Sequence, residues 1–193
     1  KRHASELLGR EDLTKLIDQV KSTSAAVVDE LIPNLLSMGT VHRVLTTLLE
    51  ERVPITNMTR ILEALAHHAP TTKDPLELAE RVRGYLPRAI CEPFVDVEHR
   101  IHALVFEPLL ELELRRSLQE KDKRLAIPPD ALEALIVRLA TACRDASQQQ
   151  VEVALLVDSQ IRRPIRHLLS RGLSDLSVIA FTEVPNDVLL EAT

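Results

Sequence analysis

Aromatic side chains are nearly missing from this 193-residue sequence, which has one Tyr, three Phe and no Trp. With only Tyr85, Phe94, Phe106 and Phe181 available, there is no row of rings for stacking single-stranded nucleic acid, and the core must be aliphatic. Glycine is equally scarce at four residues, too few for a glycine-rich phosphate cradle. The two cysteines, Cys91 and Cys143, fall on separate expected helices and read as buried free thiols rather than a disulfide. No apolar run approaches the roughly 20 residues needed to span a bilayer. The opening Lys1-Arg2-His3 has neither an initiator Met nor a signal-peptide pattern, so the chain reads as a section of a longer polypeptide. Positive charge is also in deficit. The net charge is −5, about −1 over residues 1–95 and −4 over residues 96–193, which argues against nucleic acid or an anionic membrane as the main partner.

What is present is ordinary globular composition, 45% hydrophobic and 27% charged, in a chain long enough for one large or two small domains. The first half reads as helix throughout. Leu13, Leu16, Ile17 and Val20 mark a helix over roughly 10–21, and Ser24 opens a short one that Pro33 closes. Gly39-Thr40 starts the next, carrying Val41, Val44, Leu45 and Leu48. Val53-Pro54-Ile55 ends it, because proline removes a donor and forces its predecessor toward extended geometry. Thr56 or Asn57 caps a helix whose stripe is Met58, Ile61, Leu62, Leu65 and Ala69. Asp74 caps the next, with Pro75 in its first turn. That last helix is expected to run on through Tyr85, Leu86 and Ile90 with a kink at Pro87.

The pattern changes at Pro93-Phe94-Val95-Asp96, taken as the domain boundary. Strands are expected at 101–106, 125–127, 151–157 and 176–181, with helices opening at Pro108, Pro129 and Gln160. The polar run Gln119–Arg124 is a loop. Val151–Val157 is nearly continuous apolar, as a buried parallel strand would be. The fold class is therefore α+β: an all-helical subdomain over 1–95, then a small α/β subdomain over 96–193 with a mostly parallel sheet.

The chemistry-bearing residues are few. Glu63 and His67 share a helix face as two metal ligands would. They lack a second ligand pair, however, and the His-Glu-x-x-His order is absent, so a helix-terminal or solvent-facing role is the better reading of His67 and His68. Asp158-Ser159 follows the buried strand at its carboxyl end, where open α/β sheets place ligands, and His167 lies on the same helix. A small α/β enzyme would use these three. The simpler reading makes Asp158-Ser159 a helix cap, since no Gly-x-Ser-x-Gly elbow surrounds Ser159. Arg162, Arg163, Arg166 and Arg171 make one helix basic inside an acidic half, either as a solvated face or as a docking surface for an acidic partner. No catalytic residue, cofactor site or metal site is expected, and a helical adaptor scaffolding a soluble complex is compatible with the same features.

The run Glu51-Arg52-Val53-Pro54-Ile55 … Met58 … Ile61-Leu62-Glu63-Ala64-Leu65-Ala66 … Ala69-Pro70 … Lys73-Asp74-Pro75 … Leu78 … Val82-Arg83 resembles the cytosolic domain of the FlhA/SctV family, the export gates of flagellar and virulence type III secretion systems. His3-Ala4-Ser5-Glu6-Leu7-Leu8-Gly9-Arg10-Glu11 is similar to the family's entry into its third cytosolic subdomain. Leu155-Leu156-Val157, Arg162-Arg163 and Val178–Pro185 resemble its fourth. The Val-Pro-Ile and His-Ala-Pro wording leans toward the flagellar branch. Pro87, and a chain ending soon after Asn186, depart from the family pattern and leave the local helix and the end of the sheet open.

The resemblance implies a non-enzymatic part of a bacterial protein-transport apparatus, on the cytoplasmic side of the inner membrane and without membrane contact of its own. It implies that residues 1–95 build a nine-membered homo-oligomeric ring and that residues 96–193 face the export ATPase complex and its stalk. Chaperone–substrate complexes and gatekeeper proteins are further implied partners. The chaperone cleft of the family lies largely upstream, so this section would form at most one wall of it. Mixed charge at Glu50, Glu51 and Arg52, with Glu80, Arg81 and Arg83, then suits ring contacts. Arg162, Arg163 and Arg166 suit partner docking.

Overall fold

The computed structural model describes residues 8–119 and 124–192. Most of the polar loop at 119–124 lies outside the described residues. The chain forms two compact units, residues 1–90 and 91–193. The division falls after Ile90 rather than after Val95. Cys91 falls in the second unit, where its thiol is buried and donates to the Glu183 carbonyl at 3.4 Å.

In the first unit, α1 (Arg10–Thr23) and the short α2 (Ala25–Glu30) precede a π-helical turn over Leu31–Leu35. Helix α3 spans Met38–Glu50, α4 Met58–His68 and α5 Pro75–Arg83. The apolar stripes point inward, with Val44, Leu45, Ile61, Leu62, Leu65 and Val82 fully buried. Helix α5 packs against both α3 and α4. The caps follow the sequence closely. Asn57, not Thr56, closes the start of α4 by accepting from Arg60 N at 3.2 Å, and Asp74 accepts from Leu76 N at 3.0 Å. Helix α3 starts one residue before Gly39, because Ser37 accepts from Thr40 N at 3.1 Å and so supplies the cap.

The joint between α3 and α4 is tighter than its proline alone requires. Arg52 has φ 62, its amide donates to Leu49 O, and Val53 N donates to Leu48 O at 2.9 Å. This pair of bonds satisfies the last carbonyls of α3 through a left-handed residue. Val53, at 2% exposure, packs the turn down. The expectation of a kinked helix through Pro87 is corrected. Helix α5 stops at Arg83, and Pro87 opens a separate short helix, α6 (Pro87–Cys91), where its missing amide has no helical partner to lose.

The second unit is built on four parallel strands in the order β5–β4–β1–β6. These are β1 (Arg100–Val105), β4 (Val153–Val157), β5 (Ser177–Ala180) and β6 (Leu189–Ala192). Two residues each, Leu118–Gln119 and Arg124–Leu125, form the small antiparallel pair β2–β3. Helices α7 (Pro108–Arg116), α8 (Pro129–Gln148) and α9 (Ser159–Leu169) complete it. Alternate residues along the strands point to one face, where Leu104, Leu155, Val157 and Val178 meet Ile161, Ile165 and Leu114 in one core. The end of the sheet, left open by the sequence, is closed by β6 pairing with β1.

Candidate interaction surfaces

The three residues that an enzyme would need do not converge. Asp158 caps α9, accepting from Gln160 N at 2.8 Å, and its other oxygen lies 3.4 Å from Arg115 Nη1. Its own amide is held by Glu111 Oε1 at 2.7 Å. Ser159 and His167 both sit on α9, eight residues apart, which separates them by about 12 Å along the axis. Both are exposed. A Ser–His proton relay needs roughly 3 Å, so Asp158, Ser159 and His167 cannot act together. Among the described residues, no group of three or more His, Cys, Asp or Glu side chains is placed to hold a metal ion. Glu63 and His67 instead line a shallow groove with Asn57, Thr59, Arg60 and Tyr85.

His67 and His68 meet edge to face at 4.8 Å between ring centres, and His68 meets Tyr85 at 5.6 Å. Burial lowers the His68 pKa below its usual value, with His67 and Arg81 adding to the effect. An imidazole whose folded pKa is depressed binds its proton more readily in the unfolded chain. Its contribution to stability is therefore complete above pH 6.5 and declines as the pH falls through the folded value. Melting curves between pH 7 and pH 5 are expected to show wild type losing stability toward pH 5. His68→Gln should have a shallower slope, and identical slopes would remove His68 from the effect.

The six charged residues assigned to subunit contact divide into two groups. Arg83 is 3% exposed, and its Nη1 lies 2.9 Å from Glu51 Oε2, whose side chain is 14% exposed. That pair ties the end of α3 to the end of α5. Both groups are sequestered by this chain alone, so the expected surface role of Arg83 is corrected to an internal one. Glu50 and Arg52 are exposed beside it, and Glu80 and Arg81 are half-buried on α5. Arg81 is steadied by Glu77, one helical turn earlier, at 2.8 Å. The internal pair therefore holds the remaining charges in fixed relation.

The basic helix divides in the same way. Arg162 is 1% exposed and donates from Nη1 to the Val178 carbonyl at 3.2 Å. It braces α9 against β5, and its expected docking role is corrected accordingly. Arg163 and Arg166 are half-buried, and Arg171 is exposed past the helix end. Sequence reasoning passed over Pro164, which lies inside α9 and is buried. It also missed a cluster around Arg100, although Asp96, Glu98, Arg100 and His102 alternate in sequence as residues on one side of a strand do.

The sequence profile of the FHIPEP family matches residues 1–189. The flagellar biosynthesis protein FlhA of Escherichia coli K12 is 32% identical over 96% of this chain and 26% of its own length. That of Bacillus subtilis is 30% identical over 100% of this chain and 29% of its own. The chain thus spans about a quarter of the length of these flagellar relatives. Among solved structures, the C-terminal domain of InvA superposes with a TM-score of 0.86 at 26% identity, covering 100% of this chain and 59% of that one. The nonameric SctV-C of EPEC superposes at 0.83 with 25% identity, covering 99% and 58%. Among the described residues, no helix is long and apolar enough to cross a membrane.

Proposed function

Because the match runs over residues 1–189, this chain belongs to the FHIPEP family, and from that premise we propose that it is part of the cytosolic face of a type III protein-export gate. Its helical unit, corresponding to the third cytosolic subdomain, builds a homo-oligomeric ring of nine. Its α/β unit, corresponding to the fourth, docks export partners. The work is recognition and gating rather than catalysis, and the parent protein is anchored in the bacterial inner membrane outside this chain. The observation that carries the reading is the likeness to the nonameric SctV-C over 99% of the chain. The identities to flagellar proteins, 32% and 30%, support the flagellar branch.

Ring contacts on this reading are made by Glu50, Arg52, Glu80 and Arg81. Glu51 and Arg83 set the geometry underneath. A rigid two-helix joint suits a ring, because every subunit must repeat the same angle for the ring to close. Partner docking falls to Arg163 and Arg166, which stand on a helix braced internally by Arg162. Their partners are acidic surfaces of the export ATPase complex and its stalk, or of chaperone–substrate and gatekeeper proteins. Charge at the rim of such a surface acts chiefly on encounter rate and register.

Docking is tested by capture of the secretion-system ATPase stalk, chaperones and gatekeeper on the wild-type chain and on the Arg163→Glu/Arg166→Glu double variant. Wild type should retain one of these and the double variant should lose about tenfold in affinity, since each 1.4 kcal/mol is tenfold. Equal retention by the two would place docking elsewhere on the unit.

A further inference from the structure

The two edges of the sheet are fastened by different forces. At one edge β5 buries Val178, Ile179 and Ala180. At the other, all four residues of β6 are exposed. β6 lies parallel to β1, with Leu189 opposite Arg100 and Glu191 opposite His102. It sinks no side chain into the core, and among the described residues the main-chain ladder and the ion pair of Glu191 hold it in place. Glu191 Oε2 lies 3.1 Å from Arg100 Nη1 and 3.9 Å from His102 Nδ1.

The group that receives Glu191 is assembled without β6. Arg100 Nε lies 3.1 Å from Asp96 Oδ2, and Arg100 Nη2 lies 2.8 Å from Glu98 Oε2. Asp96 is fixed in turn by the Glu98 and Arg100 amides, which donate to its Oδ1 at 2.8 and 2.9 Å. His102 Nε2 lies 3.2 Å from the same carboxylate. Those contacts hold the Asp96 pKa down to about 2, the Arg100 amide contributing most. The turn before β1 thus presents a guanidinium in a set orientation at the strand's outer edge, next to a row of main-chain donors and acceptors. Preorganised main-chain pairing plus one charged side-chain contact is how sheet edges recognise extended peptides, and a guanidinium suits a carboxylate.

We propose that the edge of β1 is an exchangeable strand slot. β6 is its resident occupant, and an extended segment of a partner protein, parallel to β1 and bearing a carboxylate where Glu191 stands, can replace it. The apolar strands β4 and β5 remain in place during the exchange. Arg100 supplies selection for acidic over basic segments, and the main-chain ladder supplies the bulk of the attachment.

The test has two readouts on the full chain. By hydrogen exchange, β6 amides should exchange at least about tenfold faster than those of β4, a gap of about 1.4 kcal/mol. Glu191→Gln and added salt should each speed β6 further and leave β4 unchanged. In the second readout, Leu189→Pro, which removes the amide that donates to His99 O at the start of the ladder, vacates the slot for a fluorescent peptide of the residue 186–192 sequence. The peptide should bind, and its Glu-to-Lys version should bind about tenfold more weakly. Glu191→Pro, which removes the next amide facing β1 together with the carboxylate, serves as a second vacated form if Leu189→Pro does not fold. β6 protection equal to that of β4 would overturn the proposal, as would absent or charge-independent peptide binding to both vacated forms.

Discussion

Arg83→Ala is expected to lower unfolding stability by about 3–5 kcal/mol, the cost of stripping one partner from a buried ion pair. Domain stabilities are about 5–15 kcal/mol, so this single change removes about a fifth of the total at the least. The carboxylate of Glu51 would keep its buried position without the guanidinium 2.9 Å away. The pair itself adds little over a matched apolar substitute, because taking both charges out of water offsets their attraction. Arg83→Met combined with Glu51→Leu should therefore recover much of the loss that Arg83→Ala incurs. Urea denaturation of the singles and the double measures this coupling. A loss within about 1 kcal/mol for Arg83→Ala would mean the joint between α3 and α5 does not rest on the pair.

Arg162→Ala should cost about 3–5 kcal/mol as well, by a different route. The side chain is among the largest that are fully buried, so truncation leaves a cavity between α9 and β5 and removes a donor from the Val178 carbonyl. Arg162→Met keeps the apolar stem and should lose only about 1–3 kcal/mol, the hydrogen-bond share. Arg163→Ala, one residue along and half-buried, should stay within about 1 kcal/mol. The contrast matters for partner binding. A variant at position 162 would fail in any binding assay because the helix is displaced. A variant at 163 or 166 would fail only where the guanidinium meets a partner. Equal thermal stability for the alanine variants at 162 and 163 would contradict the assignment.

Much of the fold was legible because its signals are local. Asn57, Asp74 and Asp158 each announce a helix start, and each accepts an amide in the structure. The continuous apolar run ending at Val157 was legible as a strand because both of its faces are covered. Pro87 was misread, since proline at the first turn of a new helix and proline inside an old one share the same neighbours in sequence. The choice was decided by Gly84-Tyr85-Leu86 failing to continue α5.

The site was less legible than the fold. Periodicity places Arg83 and Arg162 on charged helices but does not show that each finds an internal acceptor. For Arg83 that acceptor is 32 positions away, and for Arg162 it is 16 positions away on β5. The Arg100 cluster joins residues 96–102 to Glu191 across nearly half the chain, which only the parallel pairing of β1 with β6 brings about.

Ring assembly is the claim on which the functional account rests, and it is read most directly from electron microscopy of the protein's complete cytosolic region. Wild type should give closed rings with nine-fold symmetry that grow more abundant with concentration. Glu80→Arg and Arg81→Glu, which reverse surface charge and leave the Glu51–Arg83 pair intact, should reduce them at unchanged thermal stability. Dispersed single subunits at every concentration would contradict the account.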